Sequence, residues 1–170
     1  AYSASSMVLP KLQNSAVNGE EFEWAFDLNE LFKTSGGRFI HDSAVDRFLD
    51  LLSSDPKYPF SSPEKRGEIR HTLWLLERVE SAKALEEKLK THRVFGAYGI
   101  VRAAGKAEKE DEEKNIQKSL VRVRKAIRDN AMTITLSVGQ LTTGVTVPEW
   151  SAVLMLSNLA SSTLQARPER

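Results

Sequence analysis

The feature that most limits what this chain can fold into is the segment Met132–Leu156, MTITLSVGQLTTGVTVPEWSAVLML. Two apolar, β-rich runs, Met132–Val138 and Ala152–Leu156, flank a loop of small and hydroxylated residues centred on Thr142, Thr143 and Gly144. A strand buried on both faces reads as a near-continuous hydrophobic run, whereas a strand with one wet face alternates. The pattern predicts interior strands of a parallel sheet. The polar loop then falls beyond a strand's carboxyl end, where open α/β sheets keep their ligand sites.

Two earlier units repeat the theme. His71–Leu76 (HTLWLL) reads as a strand, and Val79–Lys90 as a helix with Val79, Ala82, Leu85 and Leu89 on one face. Glu86 and Lys90 on that helix form an i,i+4 pair. Tyr98–Ala103 is the next strand. Asn115–Asn130 is the next helix, with Ile116, Leu120, Val123 and Ile127 turned inward and Asn130 as its C-cap. Strand–helix alternation of this kind predicts right-handed crossovers and a parallel sheet flanked by helices.

Residues 1–70 read differently. Ala1–Glu20 has no sustained period and reads as a linker or extended arm. In Glu21–Thr34, Phe22, Trp24 and Phe26 are spaced by two, as in a strand, and Leu28, Leu31 and Phe32 follow at helical spacing. Ser35-Gly36-Gly37 interrupts the pattern. Ser43–Leu52 predicts a helix with Val45, Phe48, Leu49 and Leu52 inward, capped by Ser43 with Asp46 three residues on. After a turn-rich Ser53–Phe60, Ser62, Pro63 and Glu64 reopen a helix as N-cap, first-position proline and dipole partner. The expected organisation is a small, mostly helical N-terminal subdomain over residues 1–70 and an α/β domain over residues 71–170.

At 170 residues the chain can bury a sizeable core, roughly 70% of its unfolded surface, without metal or disulfide staples. Cysteine is absent, which excludes disulfides, thiolate metal sites and Cys nucleophiles and agrees with a cytoplasmic setting. No apolar run is long enough to span a membrane, and the first residues lack the basic and apolar regions of a secretory signal. Ala1 in place of a methionine points to a piece of a longer protein. The net charge of +1 excludes nothing; its distribution matters more.

Several constellations bear on chemistry. Gly99–Ala107 has the outline of a Walker A loop, but five residues separate its glycines instead of four, Ala107 stands where the metal-binding hydroxyl belongs, and Gly99 lies in a strand. The chain therefore has no Walker A. The hydroxyls of Thr142, Thr143 and Thr146, with amides freed by Gly144, suit a phosphate, a ribose or a nucleic-acid backbone; they also suit an ordinary strand connection. Lys118, Arg122, Lys125 and Arg128 recur at helical spacing, with Arg124 beside them, as a DNA-phosphate face or as solvated surface. His41, His71 and His92 stand too far apart in sequence for a metal motif. Asp46 and Asp50 share a helix face without a base or nucleophile beside them, Trp24, Phe26 and Trp74 read as core anchors, and Trp150 flanks the threonine loop as a packing or stacking residue.

The run HTLWLL, RVESAKALEEKL, YGIVRAAG, MTITLSV, LTTGVTVPEW, SAVLMLSN resembles the second RecA-like domain of superfamily 2 (DEAD/DEAH-like) helicases. It is most similar to those of bacterial type III and related restriction–modification proteins. The resemblance covers about residues 71–158, and Leu141–Trp150 is its most specific part. It implies a RecA-like, P-loop-NTPase-type sheet and a motif V loop that senses ATP and touches the nucleic-acid strand.

Carried over by position, Thr143 stands for the family's Arg, Gly144 for its Gly, Thr146 for its Asp and Pro148 for its Pro. The Asp is lost, so a carboxylate contact to ribose does not transfer to Thr146. His71–Leu76 corresponds to motif IV. The arginine fingers of motif VI would fall to Arg167 and Arg170, although they follow Gln165 by two and five residues and not by the family's four and seven. Thr143, Gly144 and Thr146 would then face ATP, while Thr142, Thr143, Lys118, Arg122 and Lys125 would face DNA. ATP and Mg²⁺ would bind in the full-length protein, between this lobe and a first RecA-like lobe of the same parent. A methyltransferase or nuclease module would accompany them. Two other readings stay open: a non-catalytic α/β interaction domain, and a small α/β enzyme that binds a phosphate ligand.

Overall fold

A computed structural model describes residues 2–3, 27–103, 112–138 and 147–157. Its elements in chain order are β1 (Tyr2–Ser3), α1 (Leu28–Leu31), β2 (Thr34–Ser35), β3 (Arg38–Phe39), α2 (Asp42–Ser54), α3 (Pro63–Glu68) and β4 (His71–Leu75). There follow α4 (Val79–Thr91), a 3-10 turn at Phe95–Ala97, β5 (Gly99–Arg102), α5 (Glu112–Asp129), β6 (Thr133–Ser137) and β7 (Trp150–Met155).

The main sheet has the order β1-β7-β4-β6-β5 and every pairing in it is parallel. This is the parallel α/β architecture expected of the strand–helix alternation, with helices on both faces. β6 is fully buried along its length and β4 nearly so, because each has a strand on both sides and a helical layer above or below. Those are the positions that demand unbroken apolar runs.

Strand alternation sends neighbours to opposite layers. Ile100 packs into the larger cluster, which contains Trp74, Ile134, Leu136, Leu154 and the inward residues Ala82, Leu85 and Leu89 of α4. Val101 packs into a smaller one with Ala103, Leu120, Val123 and Val147, to which Ile116 and Ile127 of α5 also belong. So α4 covers one face and α5 the other. The residues between Leu28 and Phe60 that come from α1, β3 and α2 join the α4-side cluster. Ser81 Oγ of α4 donates to the Phe32 carbonyl at 2.6 Å, a buried tie between the two segments.

Local chemistry accounts for the element ends. Asp27 caps α1 through its carboxylate, which accepts from the Asn29 and Glu30 N–H groups. Gly36 and Gly37 adopt φ of 60° and 79° and close the β2–β3 hairpin, a left-handed pair that other residues adopt only at a cost. Ser62 Oγ accepts from the Lys65 N–H at 3.2 Å, the N-cap the Ser-Pro-Glu signal predicts. Asn130 ends α5, its N–H and its side-chain amide both donating to the Ala126 carbonyl. A Cβ on Gly99 would lie 2.6 Å from Asn130 Nδ2, so this glycine serves close packing of helix end on strand.

Two expectations are corrected. Ser43 is not the cap of α2: the N-cap is His41, whose carbonyl accepts from the Ala44 and Val45 N–H groups and whose ring is held by Glu30 at 3.2 Å. That anchor starts the helix earlier, and Asp46 points to α4. The N-terminal arm contributes Tyr2–Ser3 as an edge strand on β7. Among the described residues no helix is long and apolar enough to cross a membrane. The strand read from Phe22, Trp24 and Phe26 lies outside the described residues.

Candidate functional site

The carboxyl rim of the sheet is the place the fold sets aside for a ligand. The ladder runs one residue past the strands, with Leu76 N–H donating to Ser137 O, Ala103 N–H to Leu136 O and Leu156 N–H to Leu75 O, each at 2.8–2.9 Å. Beyond it the chain leaves β4 through Glu77 and Arg78 into α4, on one face. It leaves β6 at Val138 and the described chain resumes at Val147, buried in the cluster on the opposite face. β4 and β6 are neighbours, and the chain goes from β4 into α4 on one face and is next described after β6 at Val147 on the other, the topological setting in which open α/β sheets bind ligands. The first turn of α4 follows the carboxyl end of β4, has no side-chain cap, and has exposed Arg78 as its N-cap residue. Its free N–H groups and positive dipole end favour an anion.

The described chain stops at Val138 on the rim and resumes at Val147, where the Trp150 N–H donates to the Val147 carbonyl across Pro148 and Glu149. Thr142, Thr143, Gly144 and Thr146 lie outside the described residues, as do Arg167 and Arg170. Trp150 is half-buried and packs on the Leu120–Val123 cluster, which is its packing role. Beside it His71 Nδ1 contacts Thr133 Oγ1 at 2.9 Å. Burial lowers the His71 pKa against the pull of Glu149, with Arg70 adding to the decrease, so the ring stays neutral near pH 7.

Each histidine has its own polar neighbour, Glu30, Thr133 or Asp50. Among the described residues no three His, Cys, Asp or Glu come together as a metal site.

The aspartates of α2 have a partner that spacing alone does not show. Lys88 on α4 contacts Asp42 at 2.9 Å and Asp46 at 2.6 Å. One turn further on, His92 Nδ1 accepts from the Val94 and Phe95 N–H groups, which leaves Nε2 to donate to Asp50 at 3.0 Å. A groove of about 830 Å³ runs along this seam. Burial opposes charge on Lys88, yet the hydrogen bonds to Asp46 and Asp42 prevail and raise its pKa. Carboxylates already neutralised this way form a clasp between helices and not an acid–base pair.

α5 is the charged element without such pairing. Lys114, Lys118, Arg122, Arg124, Lys125 and Arg128 are exposed, and none forms an ion pair with another described residue. Val121, 64% exposed, sits among them. Asn115, Lys118, Val121 and Arg122 line a shallow cavity of about 480 Å³. Arg122 also borders a second one of about 280 Å³ with Glu86, Ile100, Val101 and Arg102. There Arg102 Nε donates to Glu86 at 2.8 Å, while Lys90 Nζ lies 3.0 Å from the same carboxylate. Burial would raise the Glu86 pKa, but these two bonds hold it below the usual carboxylate range.

No family model and no solved structure matches the chain. Over 131 residues it is 30% identical to a Mycoplasma pneumoniae protein (strain ATCC 29342 / M129 / Subtype 1) named "Putative type II restriction enzyme and methyltransferase RM.MpnORF110P C-terminus". The alignment covers 72% of this chain and spans 18% of the relative's length. The chain thus resembles a segment, less than a fifth in length, of a protein named for restriction and methylation.

Proposed function

We propose that this chain supplies the second RecA-like lobe of an ATP-dependent DNA helicase or translocase belonging to a restriction–modification protein. Residues 71–170 form the lobe and residues 1–70 its helical subdomain. The observation that carries the reading is the parallel sheet in which neighbouring β4 and β6 are followed by chain on opposite faces, with the motif V-like sequence Leu141–Trp150 falling in the β6–β7 connection. The likeness to a restriction enzyme and methyltransferase supports it.

Among the described residues the rim offers Arg78 and the open start of α4, with neither a phosphate loop nor a cluster fit for Mg²⁺. These groups do not make a complete nucleotide site. ATP and Mg²⁺ would be held chiefly by a first lobe of the same parent, so no hydrolytic step is assigned to this chain alone. In the composite site Thr143, Gly144 and Thr146 line the nucleotide side, and Thr142 and Thr143 meet the DNA strand. Arg167 and Arg170 take the finger positions, where such a group is worth about 10³-fold or more in kcat. A methyltransferase or nuclease module of the parent would act beside the motor, in the cytoplasm.

The test uses the parent protein and the isolated 170-residue chain side by side. The expected outcome is DNA-stimulated ATP hydrolysis by the parent and no calorimetric heat with ATP for the chain. Tight ATP binding by the chain alone would favour a small phosphate-binding enzyme instead, and a parent with no ATPase activity would end the motor reading.

A further inference from the structure

α5 concentrates positive charge on one helix more than any other described element. On α4 the cations Lys88 and Lys90 each have carboxylate partners. From Lys114 to Arg128 α5 carries six cations and no carboxylate. Lys114, Lys118 and Arg122 follow at i,i+4, as do Arg124 and Arg128, and like charges at that spacing destabilise a helix by a few tenths of a kcal/mol per pair. Solubility does not require such a stripe. A polyanion would turn the repulsion into attraction.

At about 100° per residue, Lys114, Lys118, Arg122, Lys125 and Arg128 fall within roughly a third of the helix circumference, and at about 1.5 Å per residue they span some 21 Å. α5 follows the carboxyl end of β5 and precedes the amino end of β6. The stripe therefore starts toward the carboxyl end of the sheet and leads toward its amino end. Through Arg122 it continues to Arg102 on β5, the open edge of the sheet.

We propose that Lys114, Lys118, Arg122, Lys125 and Arg128, with Arg102 at the strand edge, form a sequence-independent docking surface for the phosphate backbone of duplex DNA. This rests on the DNA-binding part of the proposed function but not on ATP chemistry. Duplex is favoured over single strand because base stacking needs exposed aromatic rings. Among the described residues the exposed large apolar side chains are Ile40 and Val121, neither of them aromatic.

The experiment is fluorescence anisotropy of the 170-residue chain, without nucleotide, against a mixed-sequence duplex of about 20 base pairs, long enough for one such footprint. Four or five neutralised phosphates predict a slope of about −4 in log K against log salt, or about 10²-fold weaker binding between roughly 50 and 200 mM. Reversing three charges (K118E, R122E, K125E) lowers affinity about 100-fold and flattens the slope, whereas Lys83→Glu on the exposed face of α4 changes neither. Circular dichroism confirms that the variants are folded. Three results would overturn the proposal: a folded triple variant that binds like the parent chain, tighter binding to a single strand of equal length, or equal binding to polyglutamate, which would point to an acidic protein partner. With ATP absent, a negative result leaves the motor reading intact, and a failed motor leaves the salt slope intact.

Discussion

Trp74 and Tyr98 show how much a single buried side chain decides. Trp74 is fully buried, stacks edge-on against Phe60 and Phe95, and satisfies its indole N–H on Thr72 Oγ1 at 3.0 Å. Trp74→Ala removes the largest piece of the α4-side core and is expected to cost about 3–5 kcal/mol, read from urea unfolding. Tyr98 packs on the same rings, but its hydroxyl is buried with no hydrogen-bond partner. Burial pushes its pKa up to about 12, with Arg66 opposing. The folded phenol keeps its proton where the unfolded one has lost it, so stability falls as pH rises from about 10 to about 12. Tyr98→Phe removes both the unpaired hydroxyl and that pH dependence, and should leave stability at neutral pH unchanged or raised by up to about 1 kcal/mol. A destabilised Tyr98→Phe would mean that the hydroxyl has a partner. The role of Trp74 was legible from HTLWLL; the unpaired hydroxyl of Tyr98 was not, because it depends on what packs around it.

Among the elements, periodicity located β4, α4, β5, α5, β6 and β7, since each has an apolar run or stripe long enough to show its period. What it missed is short or long-range. The β2–β3 hairpin has two residues per strand, and β1 pairs across nearly the whole chain with β7. The Ser43 cap failed because Glu30, eleven residues before His41, fixes where α2 begins. The α2–α4 clasp joins positions 42 apart in sequence, so Asp46 looked like plain surface charge. Because Asp42 and Asp46 are more than half exposed, Lys88→Ala is expected to cost no more than about 1 kcal/mol. Screening should shrink that difference in about 1 M salt. A loss that stays the same at high salt would assign the effect to packing of the lysine stem.

For the whole molecule, the order β7-β4-β6-β5 places strands that are distant in sequence side by side, with the carboxyl ends of β4 and β6 adjacent. Alternation of strands and helices made the parallel sheet predictable, whereas the order came only from which side chains share each core. The sequence singles out the β6–β7 connection through small hydroxylated residues between two buried runs, and the described residues place those runs as β6 and β7. Which face each connection leaves by was not legible, since a sequence does not say it. The central claim is that the β6–β7 connection is one wall of a shared ATP and DNA site. The most direct measurement is DNA-stimulated ATP hydrolysis by the full-length parent carrying Gly144→Val, whose side chain blocks close backbone approach. The account predicts that stimulation by DNA is lost while the protein remains folded; full stimulation in the variant would contradict it.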